Sequence, residues 1–361
     1  MAVKIATITF HRARNYGALL QCFALQKAIQ NLGYPSEVLD YDCKQISKGY
    51  NLVKFDSKVS FIKSLLLFPF FYRKKKHYDR FIKRYISVSQ SYDYHDLAKA
   101  AHDYAAVITG SDQVWNDKLT GGDGAYFLDF VPEHRKRLSY AASFGIKEIP
   151  DEQKDFYQKN LEGMGYLSVR EKTAASMIEQ LCGRKAEVVL DPVFLQTAEQ
   201  WRAIMPKKKE KGYIFVYMPG KHTLECAKNL ARRKGLKIIF CAYDISLRRF
   251  KQNIGDIRLS LGPDEFLSLL DGADYVVTGS FHATAFSLIL QKKFFVEVPP
   301  KVGSRITDLL DSFDLRDRIF NGAGALEDRE MDWSKVEQKM NHLRQQSLTS
   351  LRRSIEAAVH D

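Results

Sequence analysis

A chain of 361 residues, 45% hydrophobic and 27% charged, has room for two domains and a large apolar core, which excludes a disulfide-stapled miniprotein and large-scale disorder. Fifty-five lysines and arginines against 43 acids leave a formal charge of +12, which favours an anionic partner without choosing among nucleic acid, membrane surface and phosphorylated substrate. The five cysteines, Cys22, Cys43, Cys182, Cys226 and Cys241, are odd in number, widely spaced and without a CxxC pair, the pattern of reduced thiols in a cytosolic protein.

Met1 to Phe10 predicts a strand that runs into a polar loop rather than a secretory signal. Apolar residues from Tyr16 to Leu32 recur at helical spacing until Gly33, and Ser36 to Tyr41 predicts a second strand. The most apolar stretch, Phe61 to Tyr72, contains Lys63, Ser64 and Pro69 and falls short of the roughly 20 residues that span a bilayer. It continues into a helix in which Arg73, Lys74, Lys75, Lys76, Arg80, Lys83 and Arg84 interleave with Tyr72, Tyr78, Phe81 and Tyr85. Such a helix suits either a solvated basic face over a buried stripe or contact with anionic lipid or substrate.

Further strands are predicted at Tyr104 to Thr109, Arg137 to Ser143, Tyr166 to Val169 and Ala186 to Leu190, completing one α/β half at 1–205, with a basic aromatic insertion at about 50–95. A lysine-rich break, Pro206 to Lys211, separates it from a second half at 212–330. There strands are predicted at Tyr213 to Met218, Leu236 to Ala242, Tyr275 to Thr278 and Phe294 to Val298, and helices at Asp264 to Leu270 and Ala283 to Leu290. The last segment, 334–361, opens with a capping box from Ser334 to Glu337 and predicts a helix packing back on the first half. Two doubly wound Rossmann-like domains facing a cleft are the simplest architecture.

Parallel sheets bind ligands beyond the carboxyl ends of their strands. The positions to inspect are therefore His11 to Ala18, Gly110 to Asn116, Ser143 to Gly145, Arg170, Asp191-Pro192 and Gly279 to Thr284. Asn15 and Ser280 read equally as helix caps and as ligand groups. Asp112 and Gln113 sit in a glycine-led loop, Trp115 beside them reads as packing, and Asp191 before proline reads first as a turn former. Gly121 to Gly124 lacks the strand-to-helix setting of a phosphate loop and reads as a flexible loop. His282 is the foremost candidate, because it opens a helix where unpaired amides attract a phosphate and the dipole disfavours imidazolium. Arg170 at a strand end needs a carboxylate or phosphate to hold.

The segments NYGALLQCFALQ, GSDQVWN, YAASFG, VREKTA, VLDPVF and TGSFHATAFS, in this order, resemble the polysaccharide pyruvyl transferase family over nearly the whole chain. The resemblance implies a GT-B-like fold and transfer of pyruvate from phosphoenolpyruvate to two hydroxyls of a sugar as a cyclic ketal. It implicates the arginine matching Arg170 and the histidine matching His282 in donor binding and catalysis. Other branches carry an arginine where Ser280 stands and a glycine where Ala283 stands. A donor carboxylate then calls for another cation, and Arg305, after the Pro299-Pro300 turn, is the expected one; otherwise it pairs with Asp308 or Asp311 on its own helix.

The site expected is thus His282 and Asp112 as catalytic groups, with Arg170, Ser280, Arg305, Asn15 and Gln113 binding substrate, and with neither metal nor redox cofactor. The expected acceptor is a lipid-linked sugar at the cytoplasmic face of a membrane, which the chain would touch peripherally. A nucleotide-sugar glycosyltransferase is the alternative of similar architecture. A nucleic-acid binder would explain the charge, but no recognition motif is present and the basic residues are spread along the chain.

Overall fold

The structure, a computed structural model, describes residues 3–53, 57–207, 210–242, 255–299, 303–322 and 326–360. Lys208 and Lys209 of the lysine-rich break and Pro300 of the proline pair lie outside the described residues. In the first half, β1 (Ile5–Ile8), β2 (Ser36–Tyr41), β3 (Val88–Tyr92), β4 (Ala106–Thr109) and β5 (Arg137–Ser139) form a parallel sheet in the order β3-β2-β1-β4-β5. A short parallel pair, β6 (Ser168–Val169) with β7 (Glu187–Val188), extends its edge through bridges from Leu138 to Tyr166 and from Ala142 to Val169.

The second half repeats the plan with β8 (Tyr213–Tyr217), β9 (Lys237–Cys241), β10 (Asp256–Arg258), β11 (Tyr275–Thr278) and β12 (Lys293–Val296), ordered β10-β9-β8-β11-β12. Each sheet reverses direction of winding beside its first strand, between β1 and β4 and between β8 and β11, so each has its ligand crevice there. The central strands are buried along their whole length, which is why IATI, AVIT and YVVT are predominantly apolar runs rather than alternating patterns.

The helices that shape the site are α1 (Tyr16–Asn31), α2 (Lys58–Leu66), α3 (Phe68–Tyr85), α4 (Thr223–Lys234), α5 (Pro263–Gly272), α6 (Phe281–Ile289), α7 (Ser304–Ser312) and α8 (Trp333–His360). Helix α1 is buried on nearly every side, and its Tyr16 stacks on Phe266 of α5 at 4.4 Å between ring centroids. One apolar cluster therefore runs unbroken from Leu19, Leu20 and Phe23 of the first half to Phe215, Phe266 and Phe286 of the second. Helix α8 spans both, with Val336 and Met340 in that shared cluster and Leu351, Ile355 and Ala358 against β1 and β4.

Some expectations need correction. Strands β3 and β10 are additional to those expected, and β5, β6 and β7 are shorter. The cap of α8 is Asp332, whose carboxylate accepts from the Lys335 amide at 3.0 Å, rather than Ser334. The Gly121 to Gly124 segment is a built corner: Gly121 ends a short helix in the left-handed region, and Asp123 accepts from the Ala125 amide at 3.0 Å and from the Tyr41 hydroxyl at 2.6 Å.

Candidate active site

The polar residues at the ends of β4 to β7 form one buried network. Arg170, following β6, donates from Nη1 to Asp191 Oδ2 at 2.7 Å, and its Nε lies 3.4 Å from Glu171 Oε1. The Ser111 hydroxyl donates to the same Asp191 oxygen at 2.8 Å, and the Ser143 hydroxyl donates to Glu171 at 2.7 Å. Asp191 is inaccessible to solvent. Burial works against its charge, yet His282, Arg170 and the Val193 amide hold its carboxyl well below the usual carboxylate range. Arg170 stacks over Phe281 at 4.5 Å, and its Nη2 makes no hydrogen bond.

His282 reaches this network from the other half. Its Nε2 stands 3.7 Å from Asp191 Oδ2, an ion-pair distance longer than a hydrogen bond, and is buried without a hydrogen-bond partner. The opposite edge of the ring lies on the backbone of Gly17, where an added Cβ would fall 2.0 Å from His282 Nδ1. The first turns of α1 and α6 thus meet face to face. Asn15 and Ser280 are their caps: Asn15 accepts from the Gly17 amide at 2.9 Å, and Ser280 from the Ala283 amide at 3.4 Å.

Arg305, on α7, borders the same cavity as Arg170, Lys172, Asp191, Phe281 and Asp308. Burial, then the charge of Arg170, pushes its pKa down, while Glu171, Asp112 and Asp191 oppose this. It pairs with neither acid of its own helix: Asp311 is held by Arg316 Nη2 at 2.6 Å, and Asp308 Oδ2 and Arg305 Nε both lack hydrogen-bond partners. Arg170 and Arg305 therefore bring unpartnered nitrogens from two separate elements to one cavity, and His282 meets the same network through Asp191.

Asp112 and Gln113 have local roles in this geometry. Asp112 takes φ of 77°, the left-handed region that a non-glycine residue enters at a cost, and its Oδ1 accepts from the Gln113 amide at 2.9 Å. Gln113 accepts from Asn116 Nδ2 at 2.9 Å and packs against Gly145, where a Cβ would lie 1.9 Å from its Oε1. Trp115 is buried, and its indole donates to the Tyr126 carbonyl at 3.0 Å.

The sequence reasoning undervalued Asp191, Ser111 and Glu171. Each stood beside a motif already singled out, so strand-end position was the usable signal. A second cavity lies beyond β1, at the His11 to Ala18 position singled out from the sequence, and is bordered by His11, Arg12, Arg14, Tyr50, Lys75 and Tyr78. Its rim is fixed by Asp40, which accepts from Arg12 at 2.7 and 2.9 Å and lies 2.8 Å from His11 Nε2. Among the described residues, no group of three or more His, Cys, Asp or Glu side chains is placed to hold a metal ion.

Two doubly wound sheets of equal order, joined through α1 and closed by a long final helix, define the GT-B-like class. A protein of Listeria monocytogenes assigned as a UDP-N-acetylglucosamine 2-epimerase shares this fold: TM-score 0.54 and 10% identity, covering 100% of this chain and 91% of that one. The glycosyltransferase SnogD of Streptomyces nogalater aligns with TM-score 0.46 and 10% identity over 99% of this chain and 98% of its own. Within that class the chain belongs to the polysaccharide pyruvyl transferase family, whose model matches residues 15–297, and this makes it a transferase. A search of the curated proteins returned no match.

Proposed function

We propose that the protein transfers pyruvate from phosphoenolpyruvate to two hydroxyls of a sugar, releasing phosphate and leaving a cyclic ketal. The observation that carries this reading is the meeting of Arg170 and Arg305, each with an unpartnered buried nitrogen, at one cavity bordered by Asp191, with His282 Nε2 3.7 Å from that same Asp191 carboxylate. A small trianion needs such cations, and ketal formation needs one group that moves protons. In the proposed sequence the buried Asp191 carboxylate offsets the helix dipole so that His282 can carry the proton it gives to the enol methylene, and the first sugar hydroxyl bonds to the resulting cationic carbon and returns its proton to the imidazole. The carbon–phosphate oxygen bond breaks with the electron pair leaving on phosphate, and the second hydroxyl bonds to the same carbon to close the ring, its proton passing to the departing phosphate. Asp191 steadies the imidazolium at 3.7 Å. Arg170 and Arg305 hold the donor's phosphate and carboxylate, and Asp112 and Gln113 shape the loop above them. Asn15 and Ser280 orient the helix-terminal amides that face the donor.

The nucleotide-sugar alternative is less well served. The amides at the start of α4, which follows β8, are already filled by the Glu297 carboxylate, accepting from His222 at 3.0 Å and Thr223 at 2.7 Å. Two of the amides that a nucleotide phosphate would use there are thus occupied by a carboxylate of the protein itself. Incubation with phosphoenolpyruvate and candidate lipid-linked sugars should release phosphate and add the mass of a pyruvate ketal. His282→Ala should lower that rate by on the order of 100-fold or more. Arg305→Ala should raise the donor's Michaelis constant while leaving the melting temperature unchanged. Phosphate release driven by a sugar nucleotide, with none from phosphoenolpyruvate, would overturn the reading.

A further inference from the structure

Twelve large hydrophobic side chains are exposed among the described residues, and seven of them lie between Phe61 and Tyr72. Ile62 is 58% exposed, Leu65 57% and Leu66 73%. Single exposed leucines are ordinary, but a run of this density is a contact surface. It occupies the corner between α2 and α3, where Phe68 and Tyr72 stack at 5.8 Å. From that corner α3 turns Tyr78 and Phe81 inward and leaves Arg73, Lys76, Arg80, Lys83 and Arg84 exposed along its outer side. At 100° per residue these five fall within one outward stripe. Asp79, on its flank, is paired with Lys75 at 2.5 Å.

We propose that this corner and stripe form a docking surface for an anionic lipid bilayer, with the leucines and aromatic rings entering the boundary of the acyl chains and the cations lying along the headgroups. Two observations select this occupant. A symmetric contact with a second copy would set the cationic stripe against itself on a chain whose net charge is already +12. Phe, Leu and Tyr beside Lys and Arg, on helices lying end to end, is the composition of an interfacial segment, and no helix among the described residues is long and apolar enough to cross a membrane. The inner side of α3, through Lys75 and Tyr78, also borders the cavity beyond β1, so docking would bring that cavity alongside the headgroups. The inference goes beyond the pyruvyl-transfer reading and does not depend on which group is transferred.

The test is sedimentation of the full chain with phosphatidylcholine vesicles, with and without phosphatidylglycerol, at low and high salt. Binding should require phosphatidylglycerol and weaken with salt. Each neutralised cation should cost about fivefold, so Arg73→Gln with Lys76→Gln and Lys83→Gln should weaken binding about 100-fold. Leu65→Ser with Leu66→Ser should weaken it about tenfold or more without lowering the melting temperature. Equal binding to neutral vesicles, or none to either kind, would overturn the proposal. So would a serine pair that leaves vesicle binding unchanged and instead abolishes self-association of the free protein. Phosphate release on a water-soluble acceptor reads the reaction separately, and the serine pair should leave it unchanged.

Discussion

Gly17 has no room for a side chain. A methyl group there would meet the imidazole of His282 at 2.0 Å, and the surrounding first turns are both capped and cannot easily yield. Gly17→Ala should therefore lower turnover by about 100-fold, the cost of a displacement of about 1 Å in a reacting group, with a much smaller change in melting temperature. A rate equal to wild type would show that the ring's seat on Gly17 is dispensable. A second prediction concerns acid. Burial opposes ionisation of Asp40, but His11 and Arg12 overcome it and hold its carboxyl below the usual range. Because the folded value lies below the unfolded value of about 3.9, its contribution is complete above that pH and is lost as pH falls through the folded value. Asp40→Asn should thus destabilise the protein more near pH 7 than near pH 2, measured as unfolding free energy in denaturant. A deficit equal at both would remove the charge argument. Much at this scale was readable: His282 and Arg170 declared themselves by following apolar strands. Asp191 did not, because the residues that give it a role, Ser111, Arg170 and His282, are brought to it only by two different strands and a helix from the other half.

At the scale of elements, α3 illustrates how two readings of a basic helix coexist. Its inner side buries Phe81 against Phe23 and Tyr85, at 6.0 and 4.9 Å between ring centroids. Its middle ties to α5 through His77 Nδ1 and Glu265 at 2.9 Å. These contacts differ greatly in worth. Phe81→Ala should cost about 3 to 5 kcal/mol of stability, as a buried aromatic truncation does. Glu265→Gln, at a partly exposed ion pair, should cost under about 1 kcal/mol. Denaturant unfolding of both variants checks the contrast, and comparable losses would mean that the ion pair carries the bridge. The elements missed from sequence share a cause. β3, VSQSY, is an edge strand with little buried surface, and β10 is three residues at the corresponding edge of the second sheet, so neither leaves an apolar run to read. The central strands were legible because helices cover both their faces.

For the whole molecule, the picture of two halves facing a cleft describes the sheets better than it describes what lies between them. Tyr16, Leu19, Leu20 and Phe23 on α1 pack directly into the core of the second half. Large apolar contacts of this kind restrain domain rocking, so phosphoenolpyruvate, the proposed donor, should compact the protein little. Small-angle scattering with and without the donor should give nearly equal radii of gyration; a large decrease would reveal a hinge that the shared core should prevent.

That shared core also bears on the order in which the chain is made. During synthesis the first half emerges with α1 complete and with Arg170 already beside Asp191, but the surface destined for Phe266 and Phe286 has nothing to cover it. The nascent protein thus carries an adhesive apolar face for the whole time needed to translate the second half, and His282 arrives only past the middle of that interval. Expressed alone, either half should precipitate or bind chaperones, while co-expression of the two should recover soluble protein. The site is in this sense assembled last, by the same docking event that makes the chain safe from aggregation.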